Sequence, residues 1–423
     1  NGTQTGFGRT GTVDWDTTPK TATFSAVSGN GYFVNTTVGV ITVNLPAGVA
    51  GAIVSLADYA ATWQTYNVTV APDGTDKIGS QNENATLSTE GQSVTFVYVD
   101  STQGWINTMD STSNVRGTPP FVAATGGTII TSSCGNFKSH VFTGPGTFCV
   151  SSAGTPAGSN TVDYFIVAGG GAAKYIAAPT GHSSAGGGGG FRVSNSYSIP
   201  APTMSPLSNP TTIPISATAY PITVGGGGTS PPSIPNGTQA PTGSVSTFST
   251  ITSAGGGGGG NTGVGGAGGS GGSGSQGPTP TSGYAGGSGN TPPVSPPQGN
   301  PGGAGYDGLS ATNNTGGGGG AGAAGGNASC GTGGIGGAGS FLADTFIGPT
   351  APSYGTPGPV GSTRYFAGGG GGSTDCGGGV GGVGGGGSGN PSPTSGTINT
   401  GGGAGARSAG GGSGIVIIRY KFQ

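Results

Sequence analysis

Short runs of alternating apolar and polar residues, separated by turn residues, occupy the first 117 positions of the chain. Turn signals such as Pro72-Asp73-Gly74 recur about every ten residues, which is typical of all-β domains. We therefore predict a small β-sandwich-like domain over residues 1–117. Its predicted strands are 23–26, 31–35, 40–45, 53–58, 67–71, 85–87, 93–99 and 104–108.

The run 93–99 is apolar on both faces of its predicted strand. Because side chains alternate along a strand, it points Val94, Phe96 and Tyr98 to one face and Thr95, Val97 and Val99 to the other. We expect one face to be buried within the domain and the other to lie against another subunit.

The pattern changes after a linker at residues 110–120. From there onward the chain repeats a short β-like run, a glycine tract and a long polar loop, without a fixed period. This order predicts a domain over residues 118–423 with strands at one end, glycine rods extending from them and loops at the far end. The β-like runs that precede tracts are 162–168, 220–224, 248–254 and 364–367, and the last run is 415–420.

Glycine dominates this second region, because the chain has 102 Gly and 31 Pro among 423 residues and only 6% charged residues. An average chain has about 7% Gly and about 25% charged residues. Glycine brings no side chain to a core, so apolar burial alone cannot hold such a region together. Aromatic residues between the tracts disfavour disorder, and runs such as 255–260 break the three-residue period of collagen.

Glycine tracts can themselves be structural elements. Without side chains, several tracts can lie side by side as threefold polyglycine II helices, whose N–H groups bond to neighbouring tracts. We predict an all-β fold in which packed polyglycine II helices stand on a β base and carry long loops. Gly257, Gly258, Gly318 and Gly370 are the predicted structural positions, and Val at Gly257 or Gly258 should force tracts apart.

Charge and motif patterns exclude several classes of partner. A net charge of −2 without any Lys/Arg cluster argues against nucleic acid, which requires phosphate neutralisation. No run of about 18 apolar residues predicts membrane insertion, and no signal pattern opens the chain. The tract 169–171 follows a strand-like run, but no helix pattern comes after it, so no cofactor is expected.

The cysteines lack the spacing of a metal site. Cys134 and Cys149 flank a predicted hairpin, and Cys330 and Cys376 lie in glycine-rich loops. Each pair could form a disulfide in an oxidising setting or remain as free thiols, and both alternatives stay open. The histidines, His140 and His182, are expected on a strand and in a loop, with no metal bound.

Carboxylates suitable for catalysis are sparse. Asp14 and Asp16 are interpreted as solvated turn residues, and the loops offer only Asp307, Asp344 and Asp375. Cleavage of a glycan normally needs a pair of carboxylates about 5–9.5 Å apart. The sequence therefore favours a protein without enzymatic activity.

Aromatic residues in the loops are the candidates for recognition, because they bury a large area at low entropic cost. The alternative is that they pack as lids over the glycine rods, which apolar neighbours favour for Phe341, Phe346 and Tyr365. The candidates for receptor contact are Tyr175, Tyr284, Tyr306 and Tyr354, which lie mostly among small and polar residues.

Several segments resemble known families. His-Val-Phe-Thr-Gly-Pro-Gly-Thr-Phe at 140–148, the segment 162–171 and Gly-Ser-Gly-Ile-Val-Ile-Ile-Arg-Tyr at 412–420 resemble the glycine-rich domain of phage tail proteins, over roughly residues 121–423. Segments 31–37, 43–46 and 97–105 look like a β domain of marine and cyanobacterial phage fibre proteins. In composition, the chain is also similar to T-even-like tip adhesins, where loops on a polyglycine sandwich contact host surface proteins.

The resemblance implies a virion fibre protein, either a tail fibre or a tip adhesin. It would attach to tail or capsid proteins, form a homotrimer and present loops to a protein or glycan receptor outside the cell. A head fibre or decoration protein of the capsid and a cell-surface fibril subunit remain the alternatives.

Overall fold

The computed structural model describes residues 13–110, 121–156, 158–174, 183–229, 237–277, 283–307, 314–374, 377–407 and 410–423. The chain divides into two compact units, Asn1–Arg116 and Gly117–Gln423, here called unit 1 and unit 2. Both consist almost wholly of β-strands and extended segments, which confirms the predicted all-β class.

In unit 1, the first six strands alternate between two sheets. The strands are β1 (Asp14–Lys20), β2 (Phe24–Ser25), β3 (Asn30–Val34), β4 (Ile41–Asn44), β5 (Ile53–Asp58), β6 (Val68–Ala71), β7 (Ala85–Leu87), β8 (Ser93–Tyr98) and β9 (Trp105–Asp110). One sheet has the order β1-β3-β5-β8-β9 and the other β2-β4-β6-β7. The pairs among β1, β3 and β5 and among β2, β4 and β6 are parallel, and the later strands add antiparallel pairs.

The core of unit 1 lies between these sheets. Val54 and Phe96 from the first sheet and Val43 and Val70 from the second are fully buried in one cluster. Alternation explains this placement, because β4 and β6 each expose every second residue more than its neighbours. Burial of one face of each strand therefore fixes the register of both sheets.

β1 is absent from the predicted strands, and the interpretation of Asp14 and Asp16 as turn residues is wrong. Both residues lie on β1, which pairs with β3 and forms a polar edge of the sheet in the described part of the chain. Asp16 forms an ion pair with Lys20 at 2.7 Å, and the ring of Trp15 lies 4.9 Å from that of Phe33. An edge strand with little burial carries too weak an apolar pattern to be recognised.

The two faces of β8 differ in burial. Val94, Phe96 and Tyr98 are buried in the core, as their alternation predicts. On the opposite face Thr95 is buried through a 2.7 Å hydrogen bond with Ser55, whereas Val97 is half-buried. This outer face of the sheet is therefore covered in part by its own side chains.

Unit 2 has a base of packed sheets, and its strands are β10 (Val122–Thr125), β11 (Thr128–Thr131), β12 (Phe137–Phe142), β13 (Gly146–Ala153), β14 (Thr161–Val167), β15 (Phe191–Ser194), β16 (Ser208–Asn209), β17 (Ile213–Pro214), β18 (Ala219–Thr223), β19 (Ser246–Phe248), β20 (Ile251–Ser253), β21 (Ser340–Ala343), β22 (Thr363–Phe366) and β23 (Ile415–Lys421). A single helical turn, α1 (Asp344–Ile347), and a 3-10 turn, Ala351–Ser353, follow β21. The base sheet has the order β11-β12-β23-β14-β15-β16, with β17 also paired to β14. A second sheet has the order β10-β13-β18-β19-β20, and β21 pairs with β22 as a hairpin.

β14 and β23 are the centre of the base, because both of their faces are buried. One face, with Tyr164 and Ile418, packs with Phe148 and Phe248 of the second sheet. The other face, with Phe165 and Ile417, packs with Leu342 and Phe366 of the hairpin. This double burial explains why β23 reads as a continuous apolar run instead of alternating.

The predicted hairpin between Cys134 and Cys149 is wrong. β12 pairs with β11 and β23 in the base sheet, whereas β13 pairs with β10 and β18 in the second sheet. The Gly-Pro-Gly segment 144–146 therefore carries the chain from one sheet to the other.

The glycine tracts form a hydrogen-bonded lattice with a threefold period. In the tract 186–190, the partners of the backbone N–H groups repeat every third residue, as in a polyglycine II helix. The bonds are Gly186 to Ala404 (2.9 Å), Gly187 to Gly257 (2.8 Å), Gly188 to Gly319 (2.9 Å), Gly189 to Gly401 (2.8 Å) and Gly190 to Ala254 (2.7 Å). Carbonyl groups of the same tract accept from the N–H groups of Ala168, Gly171, Ser270 and Gly370.

The strands lie at one end of this lattice. The tracts 168–174, 224–229, 254–260 and 367–374 leave β14, β18, β20 and β22, whereas 183–190 and 410–414 lead back into β15 and β23. The tract ends that are joined to strands form the base end, and the opposite ends form what we call the tip.

The predicted structural glycines lie inside the lattice. Gly257, Gly258, Gly318 and Gly370 are buried. A Cβ atom added to each would overlap a backbone carbonyl oxygen of a neighbouring tract, belonging to Gly266, Ala240, Gly186 and Ala404 respectively. Because these contacts involve backbone atoms, which cannot rotate away as side chains can, we predict that a side chain at any of these positions would destabilise unit 2.

Candidate functional site

Tyr284 and Tyr306 lie on adjacent tracts at the tip. The N–H of Gly305 donates to the carbonyl of Tyr284 at 3.0 Å, and the N–H of Tyr284 donates to the carbonyl of Ser275 at 3.0 Å. Tyr306 pairs with Asn314 through a 3.0 Å backbone bond. Both tyrosines are half-buried, so part of each side chain is accessible.

Polar side chains lie beside these tyrosines. The amide Nε2 of Gln276 donates to Oδ1 of Asp307 at 2.7 Å, which links the chain after one tract to the residue that follows Tyr306. We call Tyr284, Tyr306, Gln276 and Asp307 the tip patch. Amphipathic rings next to fixed donors and acceptors are a suitable surface for binding a polar partner.

Another predicted contact residue, Tyr354, is not part of this patch. Tyr354 lies at the base end, where it packs against the core and its carbonyl accepts a 2.6 Å hydrogen bond from Nε of Arg364. The structure therefore separates it from Tyr284 and Tyr306. Tyr175 lies outside the described residues.

The aromatic residues interpreted as lids belong to the base. Phe341 and Tyr365 are cross-strand partners in the β21–β22 hairpin, with ring centroids 5.2 Å apart. Phe346 on α1 is fully buried in the base core. They cover the base sheet and its hairpin, and the sequence pattern of apolar neighbours reflects that burial.

His140 is a structural residue within the base sheet. Its Nδ1 lies 2.7 Å from the carbonyl of Gly126, and its Nε2 lies 3.0 Å from the hydroxyl of Tyr420. Burial lowers the pKa of His140 below its ordinary value. Among the described residues no cluster of three metal-ligating side chains is found, and His182 lies outside them.

The cysteines that the structure describes carry free thiols. Cys134, Cys149 and Cys330 are exposed and unpaired, and Cys376 lies outside the described residues. Cys134 lies in the β11–β12 turn and Cys149 on β13 of the second sheet, so the disulfide between them is not formed. The hydrogen bond from Ser132 is the main cause that lowers the pKa of the Cys134 thiol.

The two loop carboxylates that the structure describes, Asp307 and Asp344, do not share a cleft. Asp307 lies at the tip, whereas Asp344 begins α1 at the base, and Asp375 lies outside the described residues. Sequence reasoning also missed Arg419, which is buried beneath α1. The sequence feature that could have revealed Arg419 is its position as a single charged residue within the otherwise apolar start of β23.

A β base with hydrogen-bonded glycine tracts defines an all-β protein whose scaffold is a packed polyglycine lattice. Residues 143–421 match the family model described as a glycine-rich domain, and the chain belongs to that family. This match confirms the expected glycine-rich domain. A search of curated proteins found no match, and no helix in the described part of the chain is long and apolar enough to cross a membrane.

Proposed function

We propose that the chain is a virion fibre protein, of the tail-fibre or tip-adhesin type, that binds a host surface through the tip of unit 2. The observation that carries this proposal is the tip patch, which stands on a lattice of hydrogen-bonded glycine tracts. It is a non-enzymatic, extracellular role in which the protein recognises and holds its partner.

The lattice supports this role because it holds the tip without requiring a large apolar core there. Each extended tract advances about 3.1 Å per residue, so a six-residue tract spans roughly 19 Å. One tract alone would not be ordered, since a hydrogen bond contributes about 0.5–1.5 kcal/mol against about 1–2 kcal/mol of backbone entropy per residue. Many tracts that bond to one another, as those around Gly186–Gly190 do, overcome this cost together.

The tip patch supplies the chemistry of recognition. The half-buried rings of Tyr284 and Tyr306 offer apolar area and hydroxyl groups, and Gln276 and Asp307 add an amide and a carboxylate. Such a combination suits a protein or glycan receptor. We propose that unit 1 attaches the protein to tail or capsid proteins and forms a homotrimer.

The test is inhibition of virus adsorption by the purified full chain on candidate host cells. We expect the chain to compete with virions, and the double variant Tyr284→Ala/Tyr306→Ala to compete at least about 30-fold less well, since contact residues of this kind contribute about 2 kcal/mol or more. The matched control is Tyr59→Ala/Tyr66→Ala, which removes two exposed tyrosines of unit 1 and should compete like the parent chain.

Equal competition by both double variants would reject the tip patch as the contact surface. Failure of the parent chain to bind any host cell would support the decoration alternative, and immunogold labelling would then show whether the protein lies on the tail or on the capsid.

A further inference from the structure

Two glycine tracts of unit 2 lie side by side in a fixed register. They are the tracts 168–174 and 254–260, which leave β14 and β20. Two backbone hydrogen bonds join them, from the N–H of Gly256 to the carbonyl of Gly169 (2.9 Å) and from the N–H of Gly259 to the carbonyl of Ala172 (3.0 Å). Both bonds connect residues 87 positions apart, so the two tracts run parallel.

The same register brings Lys174 to Asn261, just beyond these bonds and at the tip ends of the two tracts. The Nζ of Lys174 donates a hydrogen bond to Oδ1 of Asn261, again across 87 positions. Both side chains are enclosed, because Lys174 is 2% and Asn261 is 1% exposed. The backbone bonds of the lattice therefore hold these two side chains in contact.

Lys174 is buried without a counter-charge. It forms no ion pair within the described part of the chain, and the acceptor of its hydrogen bond, Asn261, is a neutral amide. Burial lowers the pKa of the Lys174 amine. Desolvation thus favours the uncharged amine, which is the nucleophilic form of lysine.

We propose that Lys174 and Asn261 form an intramolecular isopeptide bond, which covalently joins the tip ends of the two tracts. The lone pair of Nζ attacks Cγ of Asn261, so the Nζ–Cγ bond forms and the Cγ–Nδ2 bond breaks. One proton of the uncharged amine moves to Nδ2, which leaves as ammonia, and the other proton remains on the new amide. The reaction consumes no oxidant, reductant or further reagent.

The contact geometry favours this reaction. Cγ of Asn261 is bonded directly to Oδ1, so the contact between Nζ and Oδ1 holds the nucleophile beside the carbon that it attacks. Reacting groups held together in this way reach effective molarities of about 10⁵ M or more. The product replaces a buried amine, which is costly to protonate, by a neutral amide.

The isopeptide bond adds a covalent link to a lattice that is otherwise held by backbone hydrogen bonds. It closes a loop between positions 174 and 261, which restricts the unfolded chain as a disulfide does. Unlike a disulfide, it is not cleaved by reducing agents. The link requires nothing that the tip patch binds.

The mass of the purified full chain tests the proposal. Under denaturing and reducing conditions, we expect the main species to be lighter than the sequence requires by one ammonia, about 17 Da. Cyclisation of an Asn-Gly step loses the same mass, and the chain contains such steps, so the link must also be located. Trypsin should fail to cleave after Lys174, and the peptide 139–192 should be recovered joined to 193–364, which contains Asn261.

Substitutions identify the two partners. Lys174→Met keeps a long unbranched side chain but removes the nucleophile, and Asn261→Ala removes the amide, so both variants should lack the linked peptides. Lys138→Met, which replaces a lysine beside the ring of Phe422 at the base, is the matched control and should retain the link. In a denaturing gel the parent chain should migrate faster than Lys174→Met, because the link closes a loop.

Cleavage of the parent chain after Lys174, with the two peptides recovered separately, would overturn the proposal and leave the pair as a hydrogen bond. This result does not depend on the folding of any variant. Linked peptides that persisted in Lys174→Met or Asn261→Ala would place the link at other residues and would also overturn it. None of these measurements involves a host cell, so their outcome is distinguishable from success or failure in virus adsorption.

Discussion

At the scale of single residues, the space around each glycine decides its importance. Gly258 and Gly226 both lie in glycine tracts, yet their surroundings differ. A Cβ on Gly258 would overlap the backbone of Ala240, whereas a Cβ on Gly226 would meet no atom within 4 Å. Neither residue has the left-handed backbone that would by itself require glycine.

Gly258→Val is therefore expected to destabilise unit 2 by about 1–3 kcal/mol or more, because the tracts must separate to accommodate the side chain. Gly226→Val is the matched control and should change stability much less. Thermal melting of both variants checks this. An unchanged melting temperature for Gly258→Val would contradict tract packing as the source of order.

The burial of His140 predicts how the stability of unit 2 depends on pH. Burial lowers its pKa below the ordinary 6.5. Below about pH 6.5 the unfolded chain takes up a proton that the folded protein resists, so stability falls as the pH decreases toward the folded pKa. The slope contributed by this residue reaches at most about 1.4 kcal/mol per pH unit, and it vanishes above the unfolded pKa.

Denaturant unfolding at pH 7.5 and at lower pH should show this loss in the parent chain. His140→Gln removes the titrating group, so the difference between the two proteins isolates its contribution from that of the carboxylates. The same pH dependence in both proteins would exclude His140 as the cause.

At the scale of elements, β23 holds the base together. It lies between β12 and β14 in the base sheet, and its side chains enter the cores on both faces. Deletion of residues 415–423 should unfold unit 2, because the lost burial exceeds the typical net stability of about 5–15 kcal/mol. Unit 1, whose described core contains none of these residues, should retain its own melting transition.

Calorimetry and circular dichroism would detect the two transitions. Deletion of the exposed residue Gln423 alone is the control, and it should preserve the melting transitions of both unit 1 and unit 2. If unit 2 still melted cooperatively after deletion of residues 415–423, β23 would not be essential for the folding of unit 2.

The glycine tracts are ordered in a different way from strands such as β23, which are stabilised by buried side chains. Their order comes from N–H groups that bond in turn to different neighbours, with little contribution from side chains. The threefold repeat of partners along Gly186–Gly190 is the signature of that arrangement. A tract can therefore exist only as a member of the lattice.

At the scale of the whole molecule, the proposed homotrimer depends on the outer face of the first sheet of unit 1. Trp15 and Met109 are 43% and 56% exposed on this face, which also carries the half-buried Val97. Sedimentation of a 1–117 fragment should give the mass of a trimer, and Met109→Asp should shift it toward the monomer because a charge would be buried. Val38→Asp, at a residue 83% exposed in a turn, is the control and should keep the parent mass. A monomeric parent fragment would contradict the proposal.

The sequence by itself determined the class of fold and much of its order along the chain. The predicted strands 53–58 and 85–87 coincide with β5 and β7, because apolar runs bounded by turn residues are local signals. The packing of glycine tracts against one another could also be predicted from the sequence. A glycine lacks a Cβ atom whatever its surroundings, so a run of glycines indicates by itself that other backbones can approach it.

Only the tertiary structure decided which segments meet. It placed β12 and β13 in different sheets, moved Tyr354 away from the tip patch and buried Arg419 beside a cavity. These outcomes depend on pairs that are distant in sequence, such as His140 and Tyr420, which lie 280 positions apart. A local pattern states which face of a strand is apolar, but the partner of that face is selected by the packing of the complete unit.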